Sequence, residues 1–367
     1  MQSKITGKIL FVVPSFSNGG AERVVTVLAS TLAEMDVDTH CIVYYQAPNE
    51  YPYSEKIKVQ YLAGKGEASY QALGLKQKIS ALAGMIEEIH PSYIIPFLPQ
   101  VGFHVVLATL GKKYRIVQTV RNNPRTDPEQ GYFRKIRDFL VACSWRSFVQ
   151  NQEQLDYYPK SLHKKIEIIP NPVSNQFFKC EHEYRGVVKE VVAMGRLSAQ
   201  KNFTMIINAA KQIHVNHPDV HFSIYGEGPL KEELQAAIDA NNLKNVVTLK
   251  GRTTNAATAL DSADLFILSS NYEGMPNALL EAMAVGLPCI STNCPTGPAD
   301  MIDNDVNGKL IQVNDVDGLV KAIEEYMQMG TDCSKIGRKA KAFVAHNYSE
   351  DVIARRFLQR VLCIEDF

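Results

Sequence analysis

The sequence predicts an α/β protein built from two doubly wound domains. Three observations carry that prediction. Short apolar, β-branched runs alternate with stretches of helical apolar periodicity along most of the chain. A length of 367 residues exceeds what one hydrophobic core usually organises. The alternation breaks once, at a Pro-Asn-Pro step that fits neither a helix nor a central strand, and then restarts.

In the first half, residues 8–14 (KILFVVP) read as a buried strand, followed by a glycine turn and a helix over 21–35. Residues 39–45 read as a strand, 76–90 as a helix, and 92–98, 115–120 and 147–151 as further strands. The break at 164–178 and the polar run after it predict a linker over 171–188, leaving 1–170 as an N-terminal domain. Beyond it, strands are expected at 190–195, 220–226, 246–251, 263–270 and 288–293. Helices are expected at 203–217, 230–242, 276–285 and 315–329 within a second domain over 189–348. Strands alternating with helices argue for a parallel sheet covered on both faces, with ligands bound outside the carboxyl ends of the strands. Two such domains would face a cleft.

Composition narrows the function. Basic and acidic side chains both number 39, so net charge does not argue for a nucleic-acid binder. The balance is uneven: residues 1–175 carry 20 basic and 15 acidic groups, the remainder 19 and 24. Seven scattered cysteines without a C-x-x-C pair or zinc spacing read as free thiols in a reducing cytosol. No apolar run reaches the roughly 18 residues of a membrane span, so the expectation is a cytoplasmic protein, at most peripheral on a membrane.

Residues 17–25 (SNGGAERVV) join the first strand to the first helix. Gly19 and Gly20 let backbone amides approach a ligand, and a helix N-terminus favours an anion, although an ordinary βα turn reads the same way. Residues 226–231 (GEGPLK) imitate a dinucleotide fingerprint but place Lys231 at the third glycine. Residues 195–202 (GRLSAQKN) put Arg196 and Lys201 at the carboxyl end of a predicted strand, where two cations suit phosphate.

The stretch 271–288 (NYEGMPNALLEAMAVGLP) poses a puzzle. Pro276 suits a first helical position, Gly286 a C-terminal stop, and the residues between are apolar or small except Asn277 and Glu281. A helix this apolar is a buried one, so its carboxylate needs a purpose. Glu281 lies one turn below the helix N-terminus, whose amides offer donors to a diphosphate while Glu281 accepts from hydroxyls. A ribose joined to a diphosphate presents that combination, and Glu273 in the preceding loop would take a second polyol.

These motifs, with residues 169–173 (IPNPV), closely resemble the retaining glycosyltransferases of the GT-B fold, in their order and spacing over nearly the whole chain. The branch is the large bacterial one with a Glu-x(7)-Glu motif, which includes mannosyl-, glucosyl- and N-acetylhexosaminyl-transferases. The resemblance implies two Rossmann-like domains, with donor bound mainly to residues 190–345. It implies that Arg196 and Lys201 neutralise the donor diphosphate, Glu281 holds the ribose and Glu273 contacts the hexose. Gly274, Met275, Pro276 and Asn277 would line phosphate and sugar, and Gly251 and Arg252 the base, with Gly226 nearby. Residues 350–362 match a final helix that returns to the first domain. Many relatives carry a histidine where this sequence has Arg121, so that catalytic position is a subgroup trait.

The activity expected is transfer of a hexose or N-acetylhexosamine from a UDP-sugar, or from GDP-mannose, to a glycan or lipid-linked glycan in surface polysaccharide assembly. An epimerase-like enzyme or a silent sugar-nucleotide-binding subunit are the alternatives. No cofactor is expected. Three D-x-D triplets (36–38, 303–305, 315–317) each lie at a turn, with Asp315 placed to cap a helix, so no metal site is expected either. Residues 112–146 hold nine basic and three acidic groups mixed with aromatics. They are read as a solvated helix face over core aromatics, or as a peripheral contact with the inner face of the cell membrane.

Overall fold

The computed structural model describes residues 7–17, 19–182, 184, 186–253 and 255–364. Lys4, Asn18 of the glycine stretch, and Glu183 and Arg185 of the polar stretch lie outside the described residues. The chain divides into two units: Met1–Pro172 with Glu350–Phe367, and Val173–Ser349.

The first unit holds a seven-stranded sheet of β1 (Ile9–Val13), β2 (Thr39–Val43), β3 (Lys58–Tyr61), β4 (Tyr93–Pro96), β5 (Arg115–Thr119), β6 (Arg146–Val149) and β7 (Ile166–Ile168). Their spatial order is β3-β2-β1-β4-β5-β6-β7, all parallel. β1 and β2 are wholly buried, which is why they read as continuous apolar runs rather than alternating ones. The helix Glu350–Arg356 and its continuation pack on this unit, with Ile353, Phe357 and Val361 sealed in the core around Phe11 and Phe148.

The second unit holds β8 (Glu190–Met194), β9 (His221–Tyr225), β10 (Val247–Gly251), β11 (Leu265–Leu268), β12 (Cys289–Thr292) and β13 (Lys309–Ile311). The order is β10-β9-β8-β11-β12-β13, again parallel. Chain direction reverses across the sheet between β8 and β11. That switch point is where a doubly wound sheet opens a crevice at its carboxyl edge. The fold class is as expected: α/β, two doubly wound parallel sheets.

Three short strands escape the sequence reading. β3 is a half-exposed edge strand, and β7 and β13 have three residues each. Residues from Val173 on belong to the second unit, because the Val173 amide donates to Tyr348 O at 2.8 Å and Phe177 is buried against the helix Asn277–Val285.

Candidate active site

The site is built at the carboxyl edge of the second sheet. β8 runs into Gly195 and the loop carrying Arg196 and Lys201, while β11 runs into the loop carrying Glu273. Because β8 and β11 are neighbours, these loops meet. Asn271 N–H donates to Gln200 O and its side-chain amide to Ala199 O, both at 2.8 Å, and Ser269 Oγ donates to Lys201 O at 2.7 Å.

Glycines after β9 let a third loop join them. Gly226 has φ +151, and a Cβ there would collide with the carbonyl oxygen of Gly195. A Cβ on Gly228 would collide with Leu197 O. Leu197 N–H donates to Glu227 O, and Leu230 N–H to Leu197 O, each at 3.0 Å. The GEGPLK stretch thus serves close backbone packing that positions the Arg196 loop. Gly226 acts through that loop. Gly251, at the end of β10, has φ +71, and Arg252 beyond it is exposed.

The centre of the site is an ion pair. Lys201 Nζ donates to Glu273 Oε1 at 2.5 Å, with 16% and 6% of the two side chains exposed. Ser270 Oγ donates to the same oxygen at 2.6 Å. Glu273 Oε2 receives only a long 3.5 Å bond from Gln200 Nε2, so it keeps capacity for another donor. The Glu273 backbone is pinned by Thr296, whose hydroxyl donates to Glu273 O. Cys294 lies near this carboxylate; burial, with the charge of Glu273 adding, pushes its thiol up to about 11, so it is no nucleophile at neutral pH. Arg196 is exposed and has no side-chain partner among the described residues.

The helix Asn277–Val285 starts beside this pair. Pro276 is its N-cap rather than its first residue, no side chain caps the end, and Gly286 closes it in the left-handed region at φ +101. Leu279 through Val285 are all buried, Glu281 included, at 5% exposure. The segment Gly274 to Asn277 leads into the helix, and Gly297 (φ +93) lets the next loop close on Pro276, where a Cβ would come within 2.7 Å. A helix start without a side-chain cap carries positive potential that attracts an anion.

The other candidates lie in the first unit. Gly19 is the extended N-cap of the helix Gly20–Glu34 and Gly20 its first residue. The carboxylate of Glu22 folds back beside Gly19, and burial raises its pKa. An acid of this chain therefore already faces the helix end that was read as an anion site.

Arg121 follows β5. Nη2 donates to Asn171 Oδ1, and Cζ stands 5.4 Å from the Phe97 ring and 5.7 Å from that of Phe148. Nε and Nη1 are sealed from solvent and have no partner among the described residues. Burial pulls the guanidinium down to about 9. Among the described residues no carboxylate pairs with it.

The basic stretch 112–146 is less open than its composition implies. Arg137 is buried and donates to Asp138 and to the carbonyls of Pro124 and Asp127, so it ties down a loop. Arg146 pairs with Glu167, and Lys112 with Glu87. Asp315 accepts from Gly318 N–H at 2.8 Å as the cap of the helix Val316–Met329. Among the described residues no group of three His, Cys, Asp or Glu side chains is arranged to hold a metal ion.

Residues 178–343, the stretch that contains this constellation, match the family model for glycosyl transferases group 1. The chain is 30% identical over 252 residues to an uncharacterized glycosyltransferase of Methanocaldococcus jannaschii, covering 61% of each chain. It is 34% identical over 202 residues to the UDP-Gal:α-D-GlcNAc-diphosphoundecaprenol α-1,3-galactosyltransferase of Escherichia coli, covering 50% of this chain and 52% of that one. The match thus spans about half the length of these curated relatives. A mutant of S. aureus TarM, crystallised with fondaparinux, α-GlcNAc-glycerol and UDP, superposes with a TM-score of 0.80 at 15% identity over 97% of this chain and 100% of that chain. The fold is GT-B.

Proposed function

We propose that this protein is a group 1 glycosyl transferase that moves a hexose or N-acetylhexosamine from a nucleotide sugar to a lipid-linked glycan, with retention at the anomeric carbon, in surface glycan assembly. A UDP-sugar is the favoured donor, in keeping with the UDP-Gal donor of the E. coli relative. One observation carries the reading: the Arg196–Lys201 loop and the Glu273 loop converge at the strand switch of the second sheet, beside a helix start with no side-chain cap.

In this proposal Arg196 and Lys201, with the backbone of Gly274 to Asn277, hold the donor diphosphate. Glu281 accepts from the ribose hydroxyls, Glu273 Oε2 from the hexose, and the Gly251–Arg252 segment lies beside the base. The acceptor hydroxyl oxygen bonds to the anomeric carbon on the face from which the diphosphate departs. The C–O bond to phosphate breaks, its electron pair stays on the phosphate, and that oxygen takes the acceptor proton. Cations that match charge as it develops on the leaving group lower the barrier. Arg121, a half-buried cation with sealed Nε and Nη1 and no carboxylate partner among the described residues, serves as a fixed donor rather than a base. Peripheral contact with the inner face of the cell membrane belongs to the same reading, since such an acceptor is itself held by a lipid tail.

The test is incubation with UDP-sugars and GDP-mannose in the presence of a prenyl-diphosphate-linked N-acetylhexosamine, with NMR of the product. An α-glycoside from an α-linked donor is expected. Sugar interconversion without a glycoside would mean an epimerase-like enzyme, and donor binding with no turnover a silent subunit; either overturns the proposal.

A further inference from the structure

We infer that the outer faces of two neighbouring helices in the first unit, Pro99–Ala108 and Gly131–Cys143, form a docking surface for an anionic lipid bilayer. The two helices pack side by side. Arg137, Leu140 and Val141 turn the second helix's inner face to the core, so Tyr132, Lys135 and Phe139, at spacings of three and four, occupy its outer pole. On the first helix Phe103 stands away from the buried Val101, Val105 and Ala108. Phe103, Leu110, Tyr132, Phe133 and Phe139 are between 38% and 67% exposed, and they include every exposed phenylalanine among the described residues.

Single exposed apolar residues need no explanation, but four aromatics on one two-helix surface do. The charge around them selects the partner. Lys113 and Lys135 are exposed with no partner among the described residues. Arg125 is exposed and stacks over the Tyr157 ring, and Arg134 bonds only the carbonyls of Pro128 and Glu129. Against these four cations Asp138 is already taken by Arg137, leaving Glu129 exposed and Asp127 half-buried beside Arg137. Aromatic rings set among uncompensated lysines suit the boundary between anionic headgroups and acyl chains. No helix among the described residues is long and apolar enough to cross a membrane, so the contact is peripheral. This surface deepens the lipid-linked acceptor reading by placing the chain on the bilayer that carries such an acceptor.

The experiment is co-sedimentation of the full chain with vesicles of phosphatidylglycerol and phosphatidylethanolamine, against pure phosphatidylcholine, with no donor or acceptor added. Failure here is therefore separable from failure of the transfer reaction. Binding to the anionic vesicles that falls with salt is expected. Lys113→Glu and Lys135→Glu should each weaken it by about fivefold or more. Phe139→Ser with Tyr132→Ser should abolish it while circular dichroism stays unchanged, since both side chains are exposed. Equal binding to both vesicle types, or unchanged binding by the variants, overturns the inference. So does a dimer in sedimentation velocity that dissociates in the serine variant, which would make the occupant a second copy of this chain.

Discussion

Lys201 and Glu273, 72 residues apart in sequence, form one buried ion pair at 2.5 Å across the strand switch of the second sheet. The pair joins the loop that would neutralise phosphate to the loop that would hold sugar. It leaves one carboxylate oxygen with a single long bond among the described residues. In the proposed reading, donor binding and loop geometry are coupled through this pair and through the Asn271 bonds to Ala199 and Gln200.

Breaking that contact from one side should be costly. Lys201→Met strands a buried carboxylate, and loss of one partner from a buried pair costs on the order of 3–5 kcal/mol. Glu273→Gln should cost less, because an amide oxygen still accepts from Lys201 and Ser270. Urea unfolding of both variants, and of the double variant Lys201→Met with Glu273→Gln, tests this. The double variant should be more stable than the sum of the single losses requires; strict additivity would mean that the pair contributes nothing.

Glu281→Gln should fold normally and lose about 1.5–3 kcal/mol of nucleotide affinity, the worth of a hydrogen bond to a charged acceptor. Calorimetry with UDP reads it directly. The same affinity in variant and parent would detach Glu281 from the ribose and leave it a structural acid.

Turnover is expected to survive exhaustive chelation. Arg196, Lys201 and the start of the helix Asn277–Val285 supply positive potential where a metal would otherwise act. Loss of activity in EDTA, restored by Mg²⁺ or Mn²⁺, would require a carboxylate site that these residues do not describe.

How much of this was legible in the chain depends on which interactions are local. The runs that became β1, β2, β8 and β11 are buried on both faces, so their apolar continuity marked them. The buried helix with its lone acid announced itself through Pro276, Gly286 and Glu281. β3 and the three-residue β7 and β13 lacked that signal, because an edge strand buries too little to need an apolar run. The amphipathic helix Cys333–Tyr348 was passed over, although Ile336, Ala340 and Val344 repeat at four-residue spacing. Lys201 and Glu273 were each singled out, but their pairing was not. It follows only once the strand order places β8 against β11, and no local pattern encodes that. The orphaned donors of Arg121 are likewise a tertiary fact, set by Phe97, Phe148 and Asn171.

The last prediction concerns Arg121 and joins stability to function. Among the described residues its Nε and Nη1 are buried without partners, and its one side-chain hydrogen bond goes to a neutral amide oxygen. Burial lowers its pKa from the usual arginine range to about 9. The guanidinium is thus still charged at neutral pH, and the folded state carries its desolvation cost there. Above about pH 9 the unfolded chain would bind more protons than the folded one, so this contribution to stability improves as pH rises beyond that value. Below it the cost is fully present. Replacing the group with an apolar side chain of similar length should relieve it, because removing a buried unsatisfied donor recovers roughly 1–3 kcal/mol. Arg121→Met should therefore raise Tm at pH 7 while lowering kcat by orders of magnitude and leaving UDP affinity nearly unchanged. Arg121→Lys should recover part of the rate if positive charge suffices, and Arg121→Gln little. A variant that is less stable and turns over normally would show that Arg121 is held by the fold for packing alone.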